Sequence, residues 1–247
     1  TDAKTGQALM ENIDYRVDYP VNIVDAGTKK ITIAGLGNYT GSVNKSYSIT
    51  PEKATNILVT ISNSNAIYYD PNGVTLGNKL EVTKVGYSLK EGVDYKVSYS
   101  ANKKAGTGKC KVTFMGNYKG TKAVTKTFTI LPADINLNRP LLEINCMDKV
   151  YTGKPGTYVS KPYVDYKGKT LKSSDYKVEY FHDFSCYDEI TKKNPIELDD
   201  SVANVYIRIT AKGNYTGSIT MRGYRVVGLE DELINRKYLE RAEKSID

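Results

Sequence analysis

The single histidine of this 247-residue chain, His182, stands four residues before Cys186 in a stretch that also carries Asp183, Tyr187, Asp188, Glu189, Asp199 and Asp200. An imidazole beside a thiol can raise a nucleophile, and clustered carboxylates can hold a hard cation such as calcium. Neither chemistry is well specified by this spacing. No third group is placed in sequence to orient the imidazole, and the acidic residues follow no calcium-loop pattern. The stretch reads as an acidic, solvated loop with His182, Tyr187, Asp188, Asp199 and Asp200 as candidate ligand-binding residues. No catalytic residue, metal ligand or cofactor is assigned.

Three other groups of residues invite chemistry. Asn38-Tyr39-Thr40, Asn44-Lys45-Ser46 and Asn214-Tyr215-Thr216 match the N-glycosylation acceptor pattern. The related Asn117-Tyr118-Lys119 lacks the acceptor Thr, so the shared requirement is a structural turn in which Asn and Gly tolerate left-handed backbone and Tyr anchors the corner through its hydroxyl. The chain has 21 Tyr, 4 Phe and no Trp. Tyr68, Tyr69, Tyr158, Tyr163 and Tyr166 fall outside the core pattern or near turns, where aromatic faces suit carbohydrate, although bracing a small core serves equally well. Of the 3 Cys, Cys110 replaces a core Ile, while Cys146 and Cys186 both belong to the third copy of the repeat that runs through this chain and could bridge if the sulfurs approach.

The elements that would position these residues are repeats. Asp14-Tyr15-Arg16-Val17-Asp18-Tyr19, Asp94-Tyr95-Lys96-Val97-Ser98-Tyr99 and Asp175-Tyr176-Lys177-Val178-Glu179-Tyr180 are one motif. Each is followed by Gly37-Asn38-Tyr39, Gly116-Asn117-Tyr118 or Gly213-Asn214-Tyr215, then a Gly and a closing alternating run. Such self-similarity marks small units in series. Tyr95, Val97 and Tyr99 share one face of a period-two strand; Cys110, Val112 and Phe114 repeat the signature, as do Val205, Ile207 and Ile209. Short strands at even spacing with Gly, Asn and Pro between them describe small β-sandwiches.

The predicted organisation is a partial repeat over 1-52 with only the second half of the plan, a full repeat over 53-132, a third over 133-228 with an insertion at about 181-202, and a charged helical tail over 229-247. In the second repeat, Ile57–Ile61, Ala66–Tyr69 and Leu80–Val85 read as strands. The first repeat would leave an apolar face in water. Three explanations compete: an upstream segment cut away, strands supplied by another chain through strand exchange, or packing on the second repeat. Pro51 and Pro132 mark short, semi-rigid joints between repeats.

A formal net charge of +7 is dispersed over all repeats, without the basic stripe that nucleic-acid binding requires, so no nucleic-acid partner is expected. No apolar run reaches the length of a membrane span, and no direct membrane insertion is expected.

The run of a Leu, Asp-Tyr-x-Val-x-Tyr, a Gly-bearing turn, an alternating strand, Gly-Asn-Tyr-x-Gly and a closing strand resembles the tandem Ig-like repeats of secreted and cell-surface proteins of Gram-positive gut bacteria. The resemblance covers 1-227 in all three copies; the third departs from it by its insertion, and the tail lies outside it. It implies an all-β fold of tandem small Ig-like β-sandwiches, here with a short C-terminal helix, and extracellular display. It brings no catalytic residues. Some surface sandwiches similar to these also cross-link a Lys to an Asn with help from a carboxylate, but no motif here selects a pair. The expected function is a non-enzymatic spacer or stalk. The alternative is an adhesion module that binds a glycan or a host surface protein through the third repeat and its insertion.

Overall fold

A computed structural model describes residues 1–62, 67–198 and 202–228, and these form an all-β structure. The tail over 229–247, where sequence periodicity predicts a helix, lies outside the described residues, as does Ala66. The chain divides into two compact units: one of Thr1–Asn63, Leu76–Ser100 and Lys109–Phe128, the other of Ser64–Thr75, Ala101–Gly108 and the chain from Thr129 onward. The second repeat contributes to both.

In the first unit, β1 (Tyr15–Asp18), β2 (Gly27–Gly35) and β3 (Ser42–Ile49) form an antiparallel meander. Val17 lies opposite Ile33, and Ile33 opposite Val43, so one face collects the apolar side chains. The second repeat adds β4 (Ile57–Ile61), β5 (Leu80–Lys84) and β6 (Tyr87–Ser88) as one sheet, and β7 (Tyr95–Ser100), β8 (Gly106–Phe114) and β9 (Val124–Ile130) as another. Alternation sends Val59, Leu80 and Val82 inward from the first sheet, and Tyr95, Cys110, Val112, Phe114 and Phe128 inward from the second; all are buried. The Tyr99 hydroxyl accepts a bond from the Leu76 amide at 3.1 Å. Tyr68, expected within a strand, makes only an isolated bridge to Leu131.

The second unit holds β10 (Ala133–Asp134), β11 (Leu142–Asn145), β12 (Lys149–Val150), β13 (Tyr163–Tyr166), β14 (Lys169–Thr170), β15 (Tyr176–Phe181), β16 (Val202–Ala211), β17 (Tyr215–Thr216) and β18 (Ser218–Val227). Sheets of order β11-β13-β14 and β12-β18-β16-β15 form the third repeat, and β10 pairs with β17. Phe181 and Val202 belong to β15 and β16, so the insertion is narrower than the expected 181-202. Val164 and Tyr166 from one sheet, and Val205, Ile207 and Ile209 from the other, are buried.

The first repeat consists of one sheet where the others have two. Among the first 53 residues none is fully buried. Ile31 is half-buried and Val43 exposed, whereas Cys110 and Ile207, at the position of Ile31, are completely inaccessible. The same motif therefore sits in two environments. Truncating a buried Ile removes transfer energy and leaves a cavity, while a half-buried Ile loses only part of that. Ile207→Ala is expected to destabilise its repeat by about 3 kcal/mol and Ile31→Ala by less than about 1 kcal/mol. Urea unfolding of the two variants, followed by tyrosine fluorescence, checks the contrast.

Candidate functional site

The insertion leaves β15 after Phe181, whose ring carries the Arg208 guanidinium 4.8 Å above it. It is a braced loop. The Asp183 carboxylate accepts the amides of Asp188 at 2.9 Å and Tyr187 at 3.2 Å, which together with neighbouring amides hold its carboxyl below the usual range. The His182 amide donates to the Asp188 carbonyl, and the Ile190 amide to the Tyr180 carbonyl, both at 2.9 Å. Asn194 donates to the Asp188 carboxylate at 2.6 Å and to the Glu189 carbonyl at 3.0 Å. Ile190 and Ile196 are buried, and Ile196 exchanges amide bonds with Gly156.

These bonds determine what the candidate residues do. Asp188 holds the loop together through its carboxylate and its carbonyl. The His182 Nε2 is buried and has no hydrogen-bond partner among the described residues. The Cys186 thiol lies 3.6 Å from Thr220 Oγ1 and 3.6 Å from the Phe184 carbonyl, and its hydrogen bonds among the described residues go to these groups and not to the imidazole. Asp199 and Asp200 lie outside the described residues. Among the described residues, no group of three His, Cys, Asp or Glu side chains is arranged to hold a metal ion. Tyr187 is 93% exposed; Phe184 is 62% exposed and meets Tyr206 edge-on at 6.0 Å.

Several residues singled out in the sequence have other roles. Cys146 and Cys186 are both free, and burial pushes the Cys146 thiol up to about 11, leaving it protonated at neutral pH. Tyr69 and Tyr166 are buried core residues, not a surface platform, whereas Tyr68 and Tyr163 are exposed. The Tyr158 hydroxyl is engaged by Thr152 and the Lys154 carbonyl. Lys29, Asn22 and Asp25 bring an amine, an amide and a carboxylate together, but on an exposed turn where nothing excludes water.

The Gly-Asn-Tyr motif has a function that its sequence did not disclose. Its glycines, Gly37, Gly116 and Gly213, have φ near +60°, but the adjoining Asn residues do not have positive φ. Asn is needed for its side chain. Asn117 Oδ1 accepts the Ala26 amide of the first repeat at 2.5 Å, and its Nδ2 donates to Asp25 at 2.8 Å. Asn214 Oδ1 accepts the Ala105 amide of the second repeat at 2.8 Å. The backbone repeats the pattern: the Asn117 carbonyl accepts the Glu52 amide at 2.7 Å, and the Asn214 carbonyl the Ala133 amide at 2.9 Å. Glu52 and Ala133 each follow a joint proline, so Pro51 and Pro132 deliver equivalent amides to equivalent acceptors.

Aromatic packing seals the second joint. Tyr215 of the motif lies edge-on to Tyr69 at 5.2 Å and to Tyr166 at 5.4 Å, and burial, then Tyr69, push its hydroxyl pKa up. Lys167 pairs with Asp70 at 2.9 Å; burial opposes the Asp70 charge, but Lys167 and the Asn72 amide outweigh it and hold that carboxyl low. At the first joint, Lys84 lies over the Tyr118 ring and pairs with Glu52. Tyr15 is half-buried, while its counterparts Tyr95 and Tyr176 are buried. Asn38 is exposed and Tyr39 half-buried. The sequence signal for the joint was available: Ala26-Gly27-Thr28 and Ala105-Gly106-Thr107 recur one repeat before each latched Asn.

No family model matches the chain, and no curated protein matches it. Among solved structures it is similar to a protocadherin gammaB7 EC3-6 cis-dimer, at 11% identity over 81% of this chain and 58% of that one, with a TM-score of 0.25. The protocadherin gamma B2 extracellular cadherin domains 1-5 match at 11% identity over 83% and 46%, with a TM-score of 0.28. The chain thus spans about half the length of these structures.

An amide that loses a partly buried acceptor costs about 1–2 kcal/mol. Asn117→Ala and Asn214→Ala are each expected to lower stability by about that amount, and the exposed Asn38→Ala to change it by less than about 0.5 kcal/mol. Thermal unfolding of the three variants side by side measures the difference.

Proposed function

We propose that this chain is a non-enzymatic spacer or stalk segment of a secreted or surface-displayed bacterial protein, built from Ig-like repeats coupled stiffly in series. The observation that carries the reading is the duplicated joint. Two successive junctions use the same four parts: a proline, the amide after it, an Asn bonded through carbonyl and side chain, and an Ala–Gly turn on the preceding repeat. A loose tether needs none of these, whereas a spacer that transmits position requires each repeat held against its neighbour. The repeat motif, with its resemblance to bacterial surface repeats, supports the setting.

In small-angle scattering the wild-type chain is expected to give the profile of a particle without hinge motion. The double variant Asn117→Ala, Asn214→Ala should give a flexible one at unchanged strand content by circular dichroism. Equal flexibility in both would overturn the reading.

A second reading is supported by the insertion, where Tyr187 and Phe184 stand exposed on a loop braced by Asp183, Asp188 and Asn194. Exposed aromatics on a rigid frame suit a glycan or a host surface protein. His182, Tyr187 and Asp188, with Asp199 and Asp200, are the proposed contact residues. Affinity electrophoresis against plant, host and bacterial cell-wall glycans should then show retention that Tyr187→Ala abolishes without changing the unfolding midpoint; absence of retention removes the glycan form of this reading.

A further inference from the structure

Each joint has two halves, and the third repeat carries only one of them. The half that receives a later repeat is the Ala–Gly turn at the start of the central strand. Gly27 has φ +130° and Gly106 φ +128°, a conformation that only glycine adopts readily. Gly27 is the first residue of its strand to pair, opposite Ile49, which leaves the Ala26 amide outside the ladder and available to Asn117. Gly106 likewise begins β8, with the Ala105 amide bonded to Asn214.

Ala26 and Ala105 each stand five residues before an inward residue, Ile31 and Cys110. In the third repeat the same count back from Ile207 reaches Val202, followed by Ala203. Here these positions belong to the strand, for β16 begins at Val202, one residue before the position at which Gly27 and Gly106 begin theirs. Val202 pairs with Val227 and Ala203 with Val226, and Val150 of β12 pairs with Val227 from the other side. Ala203 does not have positive φ. The proline is absent as well: counting from Ile49, Ile130 and Val226, the positions of Pro51 and Pro132 correspond to Gly228. What stands between β15 and β16 in place of the short turn is the braced insertion.

We propose that this insertion terminates the stack, so that the third repeat docks onto the repeat before it and offers no joint to a repeat of the same kind placed after it. The proposal rests on the stiff-joint reading above. It gives the chain a direction: equivalent joints are made up to the third repeat, and the end of β15 and β16 is left to Phe184 and Tyr187.

The test places a copy of residues 51–132 between Val227 and Leu229 of the full chain, in place of Gly228, and follows the added repeat by 15N relaxation. The added repeat is expected to tumble independently, and replacing its own counterpart of Asn117 by alanine should change neither its correlation time nor its unfolding midpoint. Joint tumbling with the third repeat, released by that alanine, would overturn the proposal. In a second protein, Ala101–Gly106 replaces residues 182–203. There the added repeat should lock onto the third, with its alanine variant unlocking it; an added repeat that stays free on a folded graft also overturns the proposal, and if the graft does not fold the first protein decides. Failure of the stiff-joint reading would show separately, as existing joints insensitive to Asn117→Ala and Asn214→Ala, and would overturn both.

Discussion

A backbone amide left half-buried at the edge of a repeat has to find an acceptor, and in this protein the acceptor comes from the next repeat. Ala26 and Ala105 are such amides, and Asn117 and Asn214 satisfy them. Asparagine suits the place because it accepts and donates without charge. At the first joint it does both, taking the Ala26 amide and donating to Asp25, whose carboxyl is held below its usual value by Asn22 and then by Asn117. A carboxylate there would face Asp25 and repel it. The proline that precedes each linker amide restricts the backbone, so less entropy is lost when that amide meets the Asn carbonyl.

The cores explain why such joints are useful. Repeats of about 80 residues bury limited apolar surface, and a chain without Trp and with few Phe relies on Tyr. Tyr rings pack where their hydroxyls still reach a partner: Tyr99 to the Leu76 amide, Tyr176 to the Pro162 carbonyl, Tyr224 to the Tyr158 carbonyl. At the second joint the same chemistry extends across the boundary, where Tyr215 of one repeat meets Tyr69 of the previous one.

The insertion shows how a rigid scaffold accommodates a departure from the repeat. Its bonds run inward, through Asp183, Asp188 and Asn194, and its apolar anchors Ile190 and Ile196 are buried, so the described part of the loop is held by its own hydrogen bonds and by burial. Its cost is the Ala–Gly turn that the other two repeats keep.

The strands and their inward faces were legible in the sequence because period-two alternation is local: Cys110, Val112 and Phe114, and Val205, Ile207 and Ile209, declare their face within a few residues. The first repeat, read from the sequence as only the second half of the plan, contributes the three-stranded sheet β1-β2-β3. The role of Asn in the repeat motif was not legible, since the bonds that define it join residues 91 and 109 positions apart, and no local pattern names a partner at that distance. The burial of Tyr69 and Tyr166 and the free state of Cys146 and Cys186 were decided in the same way, by which surfaces meet. Alternation along the chain determined the sheets of this protein; the pairing of polar groups across its joints belonged to the tertiary structure, because hydrogen-bond satisfaction is a property of neighbours in space.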